Sequence, residues 1–457
     1  MLDGDMSHPA AGTTPLSGSM PNNLDAFWMP YSANRAFKAA PRMISGAKDN
    51  HYIASDGRKI LDGTAGLWCC NAGHCRTPVV EAIQRQAADL DFAPTFQFGH
   101  PIAFEVASRI ASEAPEGLDH VFFANSGSEG VDTALKIALA YHKAKGQGGR
   151  TRLIGRERGY HGSGFGGISV GGIVNNRRFY GMLLTGVDHL PHTYSRAEQA
   201  FSKGEPEWGA HLADDLENIV TLHGAETIAA VIVEPMAGST GVLPPPKGYL
   251  KRLREITKKH GILLIFDEVI SAFGRLGTAF AADRYDVTPD MIVFAKGITS
   301  GTVPMGGVIA SSEIYQTFMD SSAEGMIELF HGYTYSGHPL ACAAALATLN
   351  VYRDEGLYEQ AALLEAPFAD AAHSHLADHP LVQDIRSCGV VIGIDLAPME
   401  GKPTARAFGA MDDAFHNQDL MIRVTGDTIA LSPPLTFTEA EIDQTFTGIK
   451  KALATVQ

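Results

Sequence analysis

Short, uninterrupted apolar runs alternate with helical patterns along the chain from about Pro78 onward. Six of these runs predict strands: Val121–Phe123, Arg152–Ile154, Ala229–Val233, Ile262–Phe266, Met291–Ala295 and Gly306–Ala310. An apolar run without polar alternation is typical of a strand that is buried on both faces of a parallel sheet. The alternation of strands and helices therefore predicts an α/β fold with a mostly parallel, doubly wound sheet.

The pattern changes after about Leu340. The residues beyond it predict, in order, an Ala-rich helix, two strands, a helix, a strand and a last helix: Pro339–Arg353, Ile385–Arg386, Val390–Leu396, Ala405–Asn417, Thr428–Leu431 and a helix from Thr438. Residues 50–62 predict a hairpin with Ser-Asp-Gly at its turn. We predict a disordered tail (1–22), an N-terminal segment that joins the small domain (23–77), a large domain (78–340) and a C-terminal small α+β domain (341–457).

Composition and charge narrow the class of protein. The 457 residues are 45% hydrophobic and 19% charged, which is typical of a globular protein of more than one domain. A net charge of −15 argues against nucleic acid or an anionic membrane as a partner. The apolar runs are too short to span a bilayer, and the first twenty residues do not resemble a secretory signal.

The cysteines indicate a compartment and argue against a metal site. There are five, at irregular spacing, which does not fit a disulfide framework and favours a reducing cytoplasm. Three of them lie in C-C-N-A-G-H-C (Cys69–Cys75), but this cluster lacks the paired spacing of structural zinc sites. We therefore predict no metal.

Two apolar runs end abruptly in charged residues. Asp267 follows Ile262–Phe266, and Lys296 follows Met291–Ala295. Open α/β sheets place their active sites at the carboxyl ends of the strands. A lysine that forms a Schiff base and an aspartate that pairs with a pyridinium nitrogen are what a pyridoxal phosphate enzyme needs. Each residue taken alone could also be a helix cap or a solvated loop residue.

A turn rich in serine and glycine follows the strand that ends near Phe123. It reads N-S-G-S-E-G (Asn125–Gly130), and a helical pattern begins at about Glu129. The free N–H groups and the positive dipole end of this helix would hold a phosphate, and Gly127 and Ser128 would allow close approach and add a hydroxyl. A plain N-cap is the alternative, because S-G-S-E is also a capping pattern.

Two more loops after predicted strands carry candidate residues. Tyr160 in G-Y-H-G could lie flat on a cofactor ring, or it could pack on the core. His161 beside it fits a structural loop histidine better than a catalytic one. Glu234, in V-E-P, could form a hydrogen bond near the cofactor or serve as a cap.

Two later motifs could bind anions. Thr334, in H-G-Y-T-Y-S-G-H-P, offers a hydroxyl and a backbone N–H in a short loop, which suits a phosphate oxygen. Arg423, in L-M-I-R-V-T-G, follows a strand-like run, and its planar guanidinium could hold a carboxylate at two points. An arginine in such a position is otherwise a surface residue.

Together these motifs resemble the class III (ornithine-type) subgroup of the fold-type I pyridoxal phosphate aminotransferases, from about Phe27 to the C-terminus. The most specific parts are L-L-I-F-D-E-V with A-K-G, N-S-G-S-E, G-Y-H-G, V-E-P and Y-T-Y-S-G-H-P. Within the class the chain resembles the omega-amino acid–pyruvate (beta-alanine–pyruvate) aminotransferases. That likeness is carried by F-W-M-P-Y-S-A-N-R, G-L-W-C-C-N-A-G-H, V-D-H-L-P-H-T and A-V-I-V-E-P-M-A-G-S.

The resemblance implies roles for individual residues. Lys296 would carry pyridoxal 5'-phosphate as a Schiff base, Asp267 would pair with its ring nitrogen, and Tyr160 and Val269 would lie on opposite faces of the ring. The residues implied for the phosphate are Gly127, Ser128 and, from the partner subunit, Thr334. Those implied for the substrate are Trp68, which lines the pocket, and Arg423, which takes the carboxylate.

The resemblance also implies the reaction and the assembly. An omega-amino acid such as beta-alanine, or an amine, would give its amino group to pyruvate, forming alanine and an oxo product such as malonate semialdehyde. Another class III aminotransferase with a different amine or diamine donor is the alternative, because Ala430 stands where close relatives can carry glutamine. The active site would be shared in a homodimer or a dimer of dimers.

Two rival hypotheses come from other classes. One is a mutase, racemase or decarboxylase on the same cofactor and fold, which would not transfer an amino group stoichiometrically to pyruvate. The other is a non-catalytic cofactor-binding or regulatory protein, which would be expected to have lost the lysine or the aspartate. Both residues are present here.

Overall fold

The computed structural model describes residues 24–456, so the predicted disordered tail lies outside the described residues. Within them the strands are β1 (Ile44–Lys48), β2 (His51–Ala54), β3 (Lys59–Asp62), β4 (Leu118–Ala124), β5 (Arg152–Arg156), β6 (Val187–Leu190), β7 (Ile228–Val233), β8 (Leu263–Asp267), β9 (Met291–Ala295), β10 (Gly306–Ser311), β11 (Val382–Ser387), β12 (Ile392–Leu396), β13 (Leu420–Met421), β14 (Arg423–Thr425) and β15 (Thr428–Leu431).

The α-helices are α1 (Asn34–Ala39), α2 (Ala65–Trp68), α3 (Thr77–Asp89), α4 (Pro101–Glu113), α5 (Gly127–Ala144), α6 (Phe165–Val170), α7 (Val174–Arg178), α8 (Arg196–Gln199), α9 (Asp215–His223), α10 (Tyr249–His260), α11 (Ala281–Tyr285), α12 (Ser312–Ser321), α13 (Pro339–Asp354), α14 (Leu357–Leu376), α15 (Ala405–Asn417) and α16 (Glu439–Ala454). Short 3₁₀ turns lie at Ala210–Asp214, Ala225–Thr227 and Lys296–Thr299.

A seven-stranded sheet forms the centre of the fold, with strand order β4-β10-β9-β8-β7-β5-β6. Strand β10 runs antiparallel to both of its neighbours, and the pairings from β9 through β6 are parallel. All six predicted runs are strands of this sheet, so the predicted α/β fold is confirmed. The seventh strand, β6, was not predicted, because Val187–Leu190 is short and contains two polar residues.

The three central strands β7, β8 and β9 are buried at every position. Successive residues of β8 pack into different apolar clusters: Leu264 and Phe266 into one, Leu263 and Ile265 into the other. Helix α10 packs into the first cluster and helix α5 into the second. A strand with a buried cluster on each face has no polar face, which is why these strands are uninterrupted apolar runs.

Two smaller four-stranded sheets complete the structure. One has the order β11-β12-β15-β14 and is antiparallel throughout. It packs with α14, α15 and α16 around a third apolar cluster. The other has the order β1-β2-β3-β13, in which the predicted hairpin β2–β3 pairs in parallel with β13 from the C-terminal part of the chain. The predicted domain boundaries stay a prediction.

Two buried arginines connect these parts of the chain. Arg275, in the loop after β8, donates to Asn71 Oδ1 at 2.6 Å and to the Pro433 carbonyl at 2.5 Å. Arg386, on β11, donates to the Gly241 carbonyl at 2.5 Å and to Asp395 at 2.8 Å. Burial of a guanidinium is costly unless acceptors satisfy most of its donors, so these hydrogen bonds hold distant segments in one arrangement.

The approach of α6 to β5 gives a test of the packing. A Cβ on Gly155, in β5, would lie 1.8 Å from the Val170 carbonyl oxygen, whereas a Cβ on Gly148 would have nothing within 4 Å. We expect Gly155→Ala to destabilise the protein by roughly 1–3 kcal/mol or more, since the backbone must shift. Gly148→Ala is the control and should be near neutral. Thermal unfolding of both variants checks this, and equal melting temperatures would contradict the packing described.

Candidate active site

Three polar residues lie together at one edge of the central sheet. Glu234 directly follows β7, Asp267 is the last residue of β8, and Lys296 directly follows β9. The strands are adjacent and parallel, with Val233 opposite Phe266 and Asp267 opposite Val293. Their carboxyl ends therefore lie at the same edge, where open α/β sheets hold their ligands.

Lys296 is a strained and desolvated lysine. It begins a 3₁₀ turn with φ of +51°, a left-handed conformation that is costly for a residue with a Cβ. Its amine makes no hydrogen bond or ion pair with any residue in the range 24–456. Burial lowers the pKa of Lys296, and the nearby Arg423 cation lowers it further, while Cys69 and Asp267 raise it. A lowered pKa leaves more of the amine neutral and nucleophilic.

Asp267 is held by two neighbours. His161 Nδ1 lies 2.8 Å from Asp267 Oδ2, and the Val269 N–H donates to Oδ1 at 3.1 Å. The His161 side chain is 0% exposed, and its Nε2 has no partner among the described residues. Because a proton at Nε2 would be a buried donor without an acceptor, the arrangement favours a ring that donates from Nδ1 to the carboxylate.

His161 is the residue of this site that the sequence interpretation undervalued. It lies in the same glycine-bracketed loop as Tyr160. The only local signal was that proximity, since a contact with Asp267 across 106 positions follows from no periodic pattern. In the structure it contacts the carboxylate that was predicted to pair with the cofactor ring.

Glu234 binds backbone groups of two loops. It accepts the Tyr160 N–H at 2.8 Å and the Gly238 N–H at 3.1 Å, one on each carboxylate oxygen. Burial raises the pKa of Glu234. Of the two roles considered from the sequence, these contacts fit a capping role, in which Glu234 fixes the loop that presents Tyr160.

The first turn of α5 forms a cradle. The helix begins at Gly127, two residues before the predicted start, and Ser126 caps it by accepting the Glu129 N–H. A Cβ on Gly127 would lie 2.8 Å from Val269, so only glycine allows this approach. Ser128 Oγ accepts the Ser163 N–H at 3.0 Å, which joins the turn to the loop of Tyr160. Helix N-termini of this kind bind phosphate through their free N–H groups.

Arg423 opens β14, opposite Ala430 on β15. Burial lowers the pKa of Arg423, and Tyr160 partly offsets this by raising it. The Arg423 cation in turn lowers the pKa of Lys296. Its guanidinium makes no hydrogen bond or ion pair with any residue from 24 to 456. An unpaired, mostly desolvated guanidinium is costly, and an anionic ligand would supply its missing acceptors.

Trp68 lies in a loop that packs on the segment after β9. It is 1% exposed, adopts φ of +63°, and its indole N–H has no partner within the described part of the chain. The next residue, Cys69, packs on the segment of Lys296, since a Cβ on Gly301 would lie 3.0 Å from Cys69 Cβ. The structure therefore brings the Trp68 loop against the segment that carries the lysine.

Thr334 is placed differently from the other predicted residues. It is exposed and lines a groove with Phe92, Tyr335 and His338. Its neighbour Tyr333 contacts α5, donating its hydroxyl to the Glu129 carbonyl at 3.2 Å. The predicted role of Thr334, contributed from a partner subunit, stays a prediction.

These residues fit a phosphorylated pyridine aldehyde. The α5 turn offers N–H groups and a hydroxyl for the phosphate, Asp267 offers a carboxylate for a ring nitrogen, and Lys296 offers a free amine for an aldehyde. Within residues 24–456 no group of three His, Cys, Asp or Glu side chains is placed to hold a metal ion. In the same range no helix is both long and apolar enough to cross a bilayer.

Relatives in sequence cover nearly the whole chain. It is 61% identical over 435 residues to an omega-aminotransferase of Caulobacter vibrioides, covering 95% of this chain and 98% of that protein. It is 48% identical over 450 residues to the beta-alanine–pyruvate aminotransferase of Pseudomonas aeruginosa, covering 98% and 99% of the two chains.

A solved structure shares the fold. The amine transaminase of an uncultivated Pseudomonas species, in its PLP-bound form, superposes with a TM-score of 0.88 at 34% identity, covering 96% of this chain and all of that one. The sequence profile described as aminotransferase class-III matches residues 32–453. The predicted fold-type I architecture is thereby confirmed, and the chain belongs to the class-III aminotransferase family.

Proposed function

We propose that this protein is a pyridoxal 5'-phosphate-dependent aminotransferase that moves an amino group from an omega-amino acid, such as beta-alanine, or from an amine to pyruvate. The products are alanine and an oxo compound such as malonate semialdehyde. The observation that carries the proposal is Arg423, a mostly buried cation near Lys296 that has no acceptor among residues 24–456. A substrate carboxylate supplies that acceptor. The similarity to pyruvate-dependent relatives supports the same choice.

Each protein group has a separate task in binding the cofactor. Bound pyridoxal 5'-phosphate supplies an aldehyde and a ring that accepts electrons. The first turn of α5, with Gly127 and Ser128, holds the phosphate, and Asp267 holds a proton at the ring nitrogen. Tyr160 and Val269 would confine the ring of the bound cofactor between them.

Lys296 does the proton transfer. Its Nζ takes a proton from the donor carbon that bears the amine and returns a proton later in the transfer, acting as base and then as acid. Because burial lowers its pKa, the amine accepts and releases this proton closer to neutral pH than a solvated lysine would. Arg423 orients pyruvate through its carboxylate and must move aside for donors that lack one or carry it far away.

Surface features support a homodimer. Phe96, Phe98, Phe104 and Phe330 are each more than half exposed, and Phe96 packs against the loop that contains Thr334. Covering these aromatic side chains with a second copy would bring Thr334 to the partner's site, as the family resemblance implies. All five cysteines are free thiols, which supports a cytoplasmic location.

Absorbance of the purified protein tests the function directly. We expect the yellow colour of the bound cofactor to fade on addition of beta-alanine and to return with pyruvate. Lys296→Ala should still take up the cofactor but lose turnover, because the base is missing. Turnover of Lys296→Ala at the wild-type rate would contradict the assignment. A yellow wild type that ignores beta-alanine but bleaches with another amine or a diamine would support the alternative donor instead.

The role of Arg423 predicts a split between substrates. Losing a hydrogen-bonded charge contact costs about 1.5–3 kcal/mol, so Arg423→Ala should lower kcat/KM for pyruvate roughly 10- to 150-fold. The half-reaction with a simple aryl amine should change far less. Arg196→Ala, which removes an exposed arginine elsewhere, is the control. Equal losses for pyruvate and the aryl amine in steady-state and single-turnover kinetics would refute the role.

The contact between His161 and Asp267 predicts a difference between two variants. His161→Asn can place an amide N–H near the position of Nδ1, whereas His161→Leu removes the donor to Asp267. We expect the leucine variant to lose more than tenfold in kcat and the asparagine variant to keep most of its activity. Measurement of kcat and bound cofactor in both variants is the check. If both variants lose activity equally, the hydrogen bond is not what matters.

A further inference from the structure

We propose that the buried pair Asp62–His74 is a clasp that positions Trp68 and Arg423 for recognition of the substrate carboxylate. The inference rests on the proposed function for the identity of the ligand. Neither Asp62 nor His74 was singled out as a functional residue by the sequence patterns, and neither lies among the residues that would contact the cofactor. They are positioning residues, acting through the loop between them and the strand beside them.

Asp62 uses both of its oxygens to close the loop that contains Trp68. Oδ1 accepts the N–H and the hydroxyl of Thr64, both at 2.9 Å, and Oδ2 accepts the Gly66 N–H at 2.6 Å. Oδ2 also lies 2.8 Å from His74 Nε2. The side chains of Asp62 and His74 are 0% and 7% exposed. One buried carboxylate thus joins the beginning of the loop to its end.

The loop needs such a constraint because its backbone is strained. Ala65, Gly66 and Trp68 have φ of +45°, +66° and +63°. Left-handed conformations cost a residue with a Cβ about 1 kcal/mol or more and persist only when surrounding contacts hold them. The hydrogen bond from the Gly66 N–H to Asp62 lies in the middle of this strained turn, directly before the residues that place the indole.

The far side of the loop packs on the segment that carries Lys296. The Ala72 N–H donates to Ser300 Oγ at 3.1 Å. A Cβ on Gly297 would lie 2.8 Å from Asn71 Nδ2, and one on Gly301 would lie 3.0 Å from Cys69 Cβ. A shift of the loop would therefore also displace the segment that carries Lys296, because the two are closely packed.

The backbone of Asp62 also pairs with the strand that leads to Arg423. It is the last residue of β3 and pairs with Met421 on β13. The Gly63 N–H donates to the Met421 carbonyl at 3.0 Å, and Arg423 follows two residues later. The carboxylate of Asp62 therefore holds the loop of Trp68, while the backbone of the same residue pairs with the strand that leads to Arg423.

The backbone at His74 does not depend on the imidazole. His74 and Asp49 exchange two backbone hydrogen bonds, at 2.7 and 3.1 Å. Tyr52 packs against the ring, with centroids 4.3 Å apart. Removal of the ring therefore leaves this end of the loop attached to the hairpin, so His74→Ala is expected to fold.

The test compares Asp62→Asn and His74→Ala with a matched buried control. Asp62→Asn keeps the shape but puts an amide N–H where Oδ2 accepted the Gly66 N–H. The control is Asp384→Asn, the same isosteric change at a carboxylate that is also 0% exposed and accepts the Phe201 N–H at 2.6 Å and the Tyr194 hydroxyl at 2.8 Å. It lies on β11, where it also pairs with the buried Arg386 at 2.7 Å, and no hydrogen bond or ion pair joins it to residues 62–74.

Amide hydrogen exchange measures how firmly the Asp62–His74 clasp holds the loop, and it does not depend on catalysis. We expect amides of residues 64–73 to exchange at least about tenfold faster in Asp62→Asn and His74→Ala holoenzyme than in wild type. Amides of α5 should be unchanged, and Asp384→Asn should leave residues 64–73 as in wild type. Unchanged exchange of residues 64–73 in both test variants would overturn the proposal, whatever the wild-type enzyme catalyses.

Kinetics then separate positioning from plain stability. We expect KM for pyruvate to rise at least about tenfold in the two test variants, with a much smaller change in kcat for an aryl amine donor. A pair with only a structural role would lower stability, as Asp384→Asn does, without raising KM for pyruvate more than it changes kcat for the aryl amine. That result would also overturn the proposal. If the wild type failed to transfer an amino group while the exchange result held, the proposed function would fail and the clasp on the Trp68 loop would stand.

Discussion

The burial of three neighbouring parallel strands on both faces is the constraint on which this structure depends. Strands β7, β8 and β9 have no polar face, so polar side chains are accommodated only at the ends of these strands. Because the strands are parallel and adjacent, Glu234, Asp267 and Lys296 lie at one edge. The chemistry of the site follows from that shared edge.

The carboxylates and the cations of this site differ in how well their hydrogen bonds are satisfied. The carboxylates of Asp62, Glu234 and Asp267 each accept hydrogen bonds on both oxygens from nearby groups. The cations of Lys296 and Arg423 have no such partners among the described residues. A site in which the anions are satisfied and the cations are not favours anionic ligands, although the whole chain carries a net charge of −15.

The site also depends on contacts between distant parts of the chain. Strand β13 pairs with β3 across about 360 residues, which brings the segment of Arg423 beside the loop of Trp68. Arg275 and Arg386 hold the C-terminal sheet against the central one through buried hydrogen bonds. No single segment contains a complete site, so the geometry of the pocket is a property of the whole fold.

The sequence by itself determined the parts that local pattern encodes. Apolar runs located six of the seven central strands, and the abrupt charges after them identified Asp267 and Lys296. The S-G-S-E pattern before α5 indicated a helix cap, which Ser126 forms. Only the tertiary structure decided that His161 contacts Asp267 and that His74 meets Asp62. Periodicity reports which face of a strand is buried, whereas these contacts depend on how separate loops pack at the sheet edge, a long-range outcome that no local pattern records.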